Sequence, residues 1–393
     1  MNNVVSIPST RDRILDTLLV YAIMDIGLEV DPEIRFRVTL GQENFITVNY
    51  SNSNLERDML SKLKDKSKRF SIADRMNFSL NMGNISWKVD GQVCTYCIGK
   101  NDCNRNGDCG KTNILAYAVL HGYIESMGSF SLPWSPKPIT KAGSRGRKCA
   151  TLSVGVSPYW SKGVRKWDRG EWRENSTTVE HPVLPFALYG LANYAINVVT
   201  ENRLIRLMFS PPVGRELSHL EAIKLLTLVR RVVNSIYIEM ERFFRLEFPS
   251  MVFPFSMLCF LDVPAIYMLH QLSPSILLIS YDYGLYNSPK NPRGYEELSL
   301  ADALDFYRQL GESFWDFKKM IIDLVSLAGK EKYRSRVFDI LIKLALGIKN
   351  KEPSYFNDAL FDIQSLRKEV NAKFFVIGRE EMLAAHRALR TSH

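Results

Sequence analysis

Four cysteines, Cys94, Cys97, Cys103 and Cys109, fall within 16 residues of a 393-residue chain, in the run CTYCIGKNDCNRNGDC. Thiolates are soft ligands, and four of them spaced C-x2-C-x5-C-x5-C suit a closed tetrahedral zinc site. The first pair has the spacing of a knuckle, in which one tight turn supplies both sulfurs. Gly110, directly after Cys109, lets backbone N–H groups approach that sulfur. Gly99, Asn101, Asn104, Asn106, Gly107 and Asp108 fill the gaps with turn formers. Residues 90–112 are therefore read as loop rather than helix or strand. Cysteine fills every position and leaves none open for substrate, so the expected ion is structural Zn2+. An iron–sulfur cluster also takes four thiolates, but this spacing matches neither common ferredoxin pattern. A disulfide framework is a poor fit to so long a chain with six cysteines and no secretory signal. Chance clustering is the third alternative.

The second group of chemically informative residues is basic and aromatic. Residues 137–173 carry ten Lys or Arg against Asp168 and Glu171, a surplus of eight in a chain whose net charge is +9. The remainder is close to neutral, so the charge points to a polyanion meeting one region rather than to general solubility. Trp134, Trp160, Trp167 and Trp172, four of the six tryptophans, lie in or beside it. Arg145, Arg147, Lys148, Lys162, Arg165, Lys166, Arg169 and Arg173 would neutralise phosphates, while the indoles stack on exposed bases. For a single tryptophan, burial in a core is the commoner fate. Within the cysteine loop, Asn104, Arg105, Asn106 and Lys111 have donors suited to base edges and phosphates, and a metal would hold them rigid. Turn formation alone also accounts for those asparagines.

Catalytic patterns are missing. Gly110-Lys111-Thr112 resembles the end of a phosphate-binding loop, but Arg105 stands where that pattern needs glycine. The six histidines are scattered without an H-E-x-x-H pair, and no G-x-S-x-G elbow appears. His121 is close enough in sequence to be a spare metal ligand, although a surface histidine explains it as well. Asp262 and Asp282 have no lysine or second acid spaced to make a nuclease centre. Cys149 and Cys259 read as ordinary buried thiols.

These groups have to be positioned by the rest of the chain. Ser9-Thr10 precedes an amphipathic helix over 11–27, with Ile14, Leu18, Tyr21 and Ala22 inward. Residues 34–40 and 45–50 alternate as a hairpin around Gly41. A helix over 54–65 ends in Lys66, Lys68 and Arg69, read as a solvated basic end. A strand over 85–89 delivers the chain to the cysteines, and a helix over 112–127 follows. Residues 131–148 read as an exposed connection and 150–156 as a strand. Residues 185–199 read as a buried helix and 204–209 as a strand. A long helix spans 218–244, with Leu220, Ile223, Leu226, Val229 and Val233 on its inner face. A strand at 275–283 precedes helices near 299–310, 313–328, 332–349, 354–371 and 378–389.

The expected class is α+β: a mixed N-terminal α/β region with an inserted four-cysteine zinc loop, followed by a C-terminal helical bundle. The expected divisions are 1–180 (zinc loop near 90–112 and basic aromatic surface), 181–298 (central α/β core) and 299–393 (helical bundle). The first residues lack the apolar stretch of a signal peptide. The apolar runs 182–199 and 251–280 contain too many polar residues and prolines for membrane spans. A soluble, cytoplasmic protein without membrane partners is expected.

The order of these features resembles the large subunit of type I CRISPR surveillance complexes (Cascade), most nearly the archaeal type I-A kind. The resemblance runs from the N-terminal helix and hairpin through the CTYC cluster and basic region. It continues through HPVLPFALYGLANYA into the helical C-terminal part and so covers most of the chain. It implies a non-catalytic subunit of a guide-RNA-containing effector complex, working beside other CRISPR-associated subunits in antiviral defence. Such a subunit recognises the protospacer-adjacent motif in target duplex DNA and helps open the duplex, while a separate helicase–nuclease cuts. Two other classes stay open: a zinc-containing RNA or ribonucleoprotein scaffold, and a nucleic-acid enzyme whose active site is assembled from distant acids.

Overall fold

The computed structural model describes residues 3–10, 12–68, 86–89, 92–95, 129–134, 149–151, 178–180, 183–199, 203–246, 248–272, 275–283, 289–370 and 378–391. They form an α+β protein of helices and antiparallel sheets. The chain divides into two units. One is Met1–Arg230 with Leu277–Tyr295, and the other is Arg231–Ile276 with Glu296–His393.

The first unit is built around helix α1, Arg13–Val30. Asp12 caps it, its side chain accepting from the N–H groups of Ile14 at 3.0 Å and Leu15 at 3.2 Å. Those are donors that the first turn of any helix leaves open. Every residue from Ile14 to Gly27 is buried. The amphipathic helix expected at 11–27 is thus a helix enclosed on all sides, which requires its polar groups to be satisfied locally. Thr17 Oγ1 donates to the Arg13 carbonyl at 2.7 Å. Asp16 accepts from Ser9 Oγ at 2.6 Å, Thr10 Oγ1 at 2.6 Å and Thr10 N–H at 2.9 Å.

A four-stranded antiparallel sheet packs on α1, in the order β1 (Asn3–Pro8), β3 (Asn44–Tyr50), β2 (Arg35–Val38), β10 (Glu216–Leu217). In β2, Arg35 and Arg37 face out while Phe36 and Val38 face in, the period-two pattern of a half-buried strand. Phe36 pairs with Val48 and Val38 with Ile46, which is the expected hairpin. Strand β1, which the sequence reading left out, adds Val5 opposite Val48 and Ile7 opposite Ile46.

Helix α2 (Leu55–Lys68) and helix α3 (Val183–Tyr194) also pack on α1. The single helix expected over 185–199 stops at Tyr194, and residues Ala195–Val199 form strand β8. Ile196, Val198 and Val199 are β-branched, and pairing with β9 (Arg203–Phe209) outweighs the continuation of the helix. These strands belong to a sheet ordered β12 (Pro289–Ser299), β11 (Ser275–Tyr283), β9, β8. Two further short antiparallel ladders occur among the described residues: β4 (Ser86–Val89) with β5 (Gln92–Thr95), and β6 (Cys149–Thr151) with β7 (Thr178–Glu180).

Helix α4, His219–Arg245, begins on a capping box. Ser218 N–H and Oγ both reach Glu221 Oε2, at 2.9 and 2.8 Å, and Glu221 N–H returns to Ser218 Oγ at 3.4 Å. Its buried stripe is Ala222, Leu225, Leu226, Val229, Val232 and Val233. Leu220 and Ile223, expected inside, are 59% and 39% exposed. Successive i+3 steps drift around a 3.6-residue helix, so a stripe drawn that way leaves the true face.

In the second unit, helices α5 (Phe253–Leu258) and α6 (Val263–Leu272) precede α7 (Ala301–Leu310), α8 (Phe314–Ala328), α9 (Glu331–Asn350), α10 (Pro353–Val370) and α11 (Arg379–Thr391). Phe306, Tyr307, Phe314, Phe317 and Phe356 form its aromatic core, with ring centroids 5.2–6.0 Å apart. Helices α9 and α10 make an antiparallel hairpin closed by Lys351, which sits at φ 55°. Arg336 reaches Glu369 at 2.5 Å and Lys343 reaches Asp362 at 2.6 Å along its length. The Gly347 position faces Phe356, whose N would lie 3.2 Å from an added Cβ.

Candidate functional site

The sequence-derived site residues Cys97, Cys103, Asn104, Arg105, Asn106, Cys109, Lys111, Arg145, Arg147, Lys148, Lys162, Arg165, Lys166, Arg169 and Arg173 lie outside the described residues. So do Trp160, Trp167, Trp172 and the expected helix at 112–127. Cys94 is described by its backbone, which belongs to β5, opposite Trp87 of β4. The loop expected from residue 90 onward therefore has its first cysteine on a hairpin strand. Asp90-Gly91, between Val89 and Gln92, is the turn dipeptide that signals such a hairpin. No group of three or more His, Cys, Asp or Glu able to hold a metal ion occurs among the described residues. No helix among them is long and apolar enough to cross a membrane.

The helices that flank residues 69–182 in sequence are described: α2 ends at Lys68 and α3 begins at Val183. Both helices are tied to α1 by a polar cluster around Asp25, whose side chain is 6% exposed. Its Oδ1 meets Lys66 Nζ of α2 at 3.4 Å. Its Oδ2 accepts from the Tyr189 hydroxyl of α3 and from Arg230 of α4. Arg230 also reaches the Tyr189 hydroxyl at 3.3 Å and lies over the Tyr194 ring, 5.1 Å from its centroid. One turn along α1, Glu29 pairs with Lys66 and meets Lys62 at 3.9 Å. Tyr21 of α1 stacks on Tyr194 at 4.8 Å.

This cluster locks helices rather than offering a reactive group. Both Asp25 oxygens are engaged by donors, two of them cationic side chains. Burial, then the neighbouring Asp25 charge, pushes the Tyr189 hydroxyl well above its usual range, so it stays protonated as a donor. Lys66, expected in a solvated basic end, is instead turned into this cluster and 18% exposed. The signal for it was present in the sequence. Asp25 and Glu29 are four apart on one helix, as are Lys62 and Lys66 on the next, so the two pairs match as a ladder.

Two further buried groups have shifted acid–base behaviour. Asp16 is pushed up to about 7 by burial, against the pull of its hydrogen bonds from Ser9 and Thr10. Cys259, in the second unit, is a buried thiol as expected, 2.8 Å from the Tyr307 hydroxyl. Burial pushes it up to about 12, which removes the thiolate needed for nucleophilic or metal chemistry. Asp262 is paired with Arg231. Trp134 is a core residue, 1% exposed against Phe130 and Phe186. No protein-family model matches this chain, and no curated protein matches it.

Proposed function

We propose that this chain is a non-catalytic, nucleic-acid-binding large subunit of a CRISPR type I effector complex. In this reading it recognises the protospacer-adjacent motif and helps open target duplex DNA in the cytoplasm, assembled with a guide RNA and other CRISPR-associated subunits. One observation carries the proposal. Four cysteines with zinc spacing and a surplus of eight positive charges follow one another within a single stretch of sequence between α2 and α3. A structural Zn2+ held by Cys94, Cys97, Cys103 and Cys109 would stiffen the loop that presents Asn104, Arg105, Asn106 and Lys111. The cations from Arg145 to Arg173 would contact phosphates and make binding strongly salt-dependent. Helices from residue 299 onward would form a bundle available to partner subunits. The Asp25 cluster supports the reading, because it fastens to α1 both helices that flank this stretch.

The test is duplex binding across a randomised short motif at two salt concentrations, with zinc measured on the same sample. Preference for a short motif with stoichiometric zinc is the expected result. Tighter binding of single-stranded RNA than of any duplex would replace it with the scaffold reading. Metal-dependent cleavage of DNA would replace it with an enzyme. In the same assay, Arg165→Ala, Lys166→Ala and Arg169→Ala together should weaken binding and lower the salt slope by about three.

A further inference from the structure

The second unit, Arg231–Ile276 with Glu296–His393, carries as many acids as bases, 19 of each. They are not evenly spread. Residues 330–336, where α9 begins, and 367–369, where α10 ends, hold Lys330, Lys332, Arg334, Arg336, Arg367 and Lys368 against Glu331 and Glu369. The two helix ends are joined side by side. Arg336 meets Glu369 at 2.5 Å and Ser365 Oγ at 2.6 Å, and Lys332 lies 3.7 Å from Glu369. Glu369 is thereby occupied. Lys330, Arg334, Arg367 and Lys368 are exposed and have no ion-pair partner among the described residues. Six cations against two acids leave a surplus of four on one end of a hairpin, in a unit that is otherwise acidic.

We propose that this end of the α9–α10 hairpin binds the phosphodiester backbone of a nucleic acid. Local structure does not account for the charge. Lys330, Lys332 and Arg334 stand at the start of α9, where the helix macrodipole favours acids and opposes cations. Arg367 and Lys368 suit the end of α10, but they add like charge to the same surface. A protein partner is the poorer fit, because stable protein interfaces are anchored by apolar or aromatic side chains that become buried. Tyr333 is half-buried, and no large apolar side chain is exposed within 330–336 or 367–369. A phosphate backbone needs no such anchor. Cations displace its condensed counterions, and guanidinium forks such as those of Arg334 and Arg367 donate to its oxygens. This surface shares no residue with the basic stretch at 137–173 and does not depend on the zinc loop.

The experiment measures binding of the full chain to mixed-sequence duplex DNA and to single-stranded RNA over a range of salt concentrations. Lys330→Ala, Arg334→Ala, Arg367→Ala and Lys368→Ala are combined in one variant, which should keep the wild-type urea midpoint. Its affinity for at least one ligand should fall about tenfold or more. The salt slope should fall by about 0.9 per lost contact on the duplex, or about 0.7 on the single strand. The ligand that loses affinity identifies the strand that the surface takes. Arg57→Ala with Lys349→Ala removes two exposed cations elsewhere and should change neither quantity. Unchanged affinity and slope in the fourfold variant with both ligands would overturn the proposal, as would wild-type protein that binds neither. A loss of the same size in the control would also overturn it, by marking the effect as one of net charge. Loss in the fourfold variant alone, with neither motif preference nor zinc in the wild type, would leave this surface standing and remove the motif-reading function.

Discussion

Gly190 of α3 lies against Leu18 of α1 so closely that a Cβ at position 190 would fall 2.2 Å from the Leu18 carbonyl oxygen. No residue with a Cβ fits there without moving one helix from the other. In an exposed helix, Gly→Ala gains about 1 kcal/mol from propensity. Here the sign reverses, because the obstacle is backbone rather than a side chain that can swing away. Gly190→Ala should destabilise the first unit by about 3 kcal/mol or more, read as a lower urea midpoint at unchanged slope. A midpoint at or above wild type would mean that the two helices can separate freely.

Asp16 gives the first unit a defined pH dependence. The carboxyl is pushed up to about 7 when folded and returns to about 4 when unfolded. Between those values the folded state holds a proton that the unfolded state has lost. The stabilisation is complete below about pH 4 and disappears as pH rises through about 7. Asn keeps an acceptor for the Thr10 N–H and cannot ionise. Asp16→Asn should therefore flatten the fall in stability between pH 5 and 8, and at pH 8 exceed wild type by on the order of 1–2 kcal/mol. Parallel pH profiles for the two proteins would exclude Asp16 as the source.

Lys351 occupies a left-handed position between α9 and α10, at φ 55°. Its N–H caps the Gly347 and Ile348 carbonyls, the geometry that glycine adopts at a helix end without strain. Lys351→Gly should raise the stability of the second unit by about 0.5–1 kcal/mol. A loss would show that the lysine side chain contributes more than its backbone strain costs.

Under the zinc reading, Cys94→Ser with Cys97→Ser should release the metal and expose the amides of 86–95 to exchange. The helices from Ala301 onward should keep their protection. Unfolding of those helices in the same variant would show that the cysteine segment supports the whole chain.

The sequence made some of this visible and hid the rest for identifiable reasons. Alternation around Gly41 located β2 and β3, because a half-buried strand writes its two faces directly into the sequence. Gly311, Gly329 and Pro353 separated helices α7 to α10 in the same way. The burial of α1 was not legible. Asp16, Thr17 and Asp25 look like a polar face, and only their partners, Thr10 and Tyr189 among them, reveal that they are inside. The turn from α3 to β8 was missed because apolar content alone does not distinguish a buried helix from a buried strand. Lys66 was misplaced because a basic helix end is usually solvated, and the acids that capture it lie on another helix. The cysteine and basic residues were chosen for their chemistry, and of them the structure adds the strand position of Cys94.

The enclosure of α1 has a consequence for synthesis. Its neighbours come from far downstream: Tyr21 donates to the Phe209 carbonyl at 3.0 Å, and Arg13 reaches Ser210 at 3.0 Å. At roughly 5–20 residues per second, the ribosome needs roughly 10–40 seconds after finishing α1 to produce residues 209 and 210. For most of that interval a strongly apolar helix is outside the exit tunnel without the cover that residues 183–210 supply. A nascent chain stalled before residue 183 should be held by a chaperone, and one stalled well beyond residue 230 should release it.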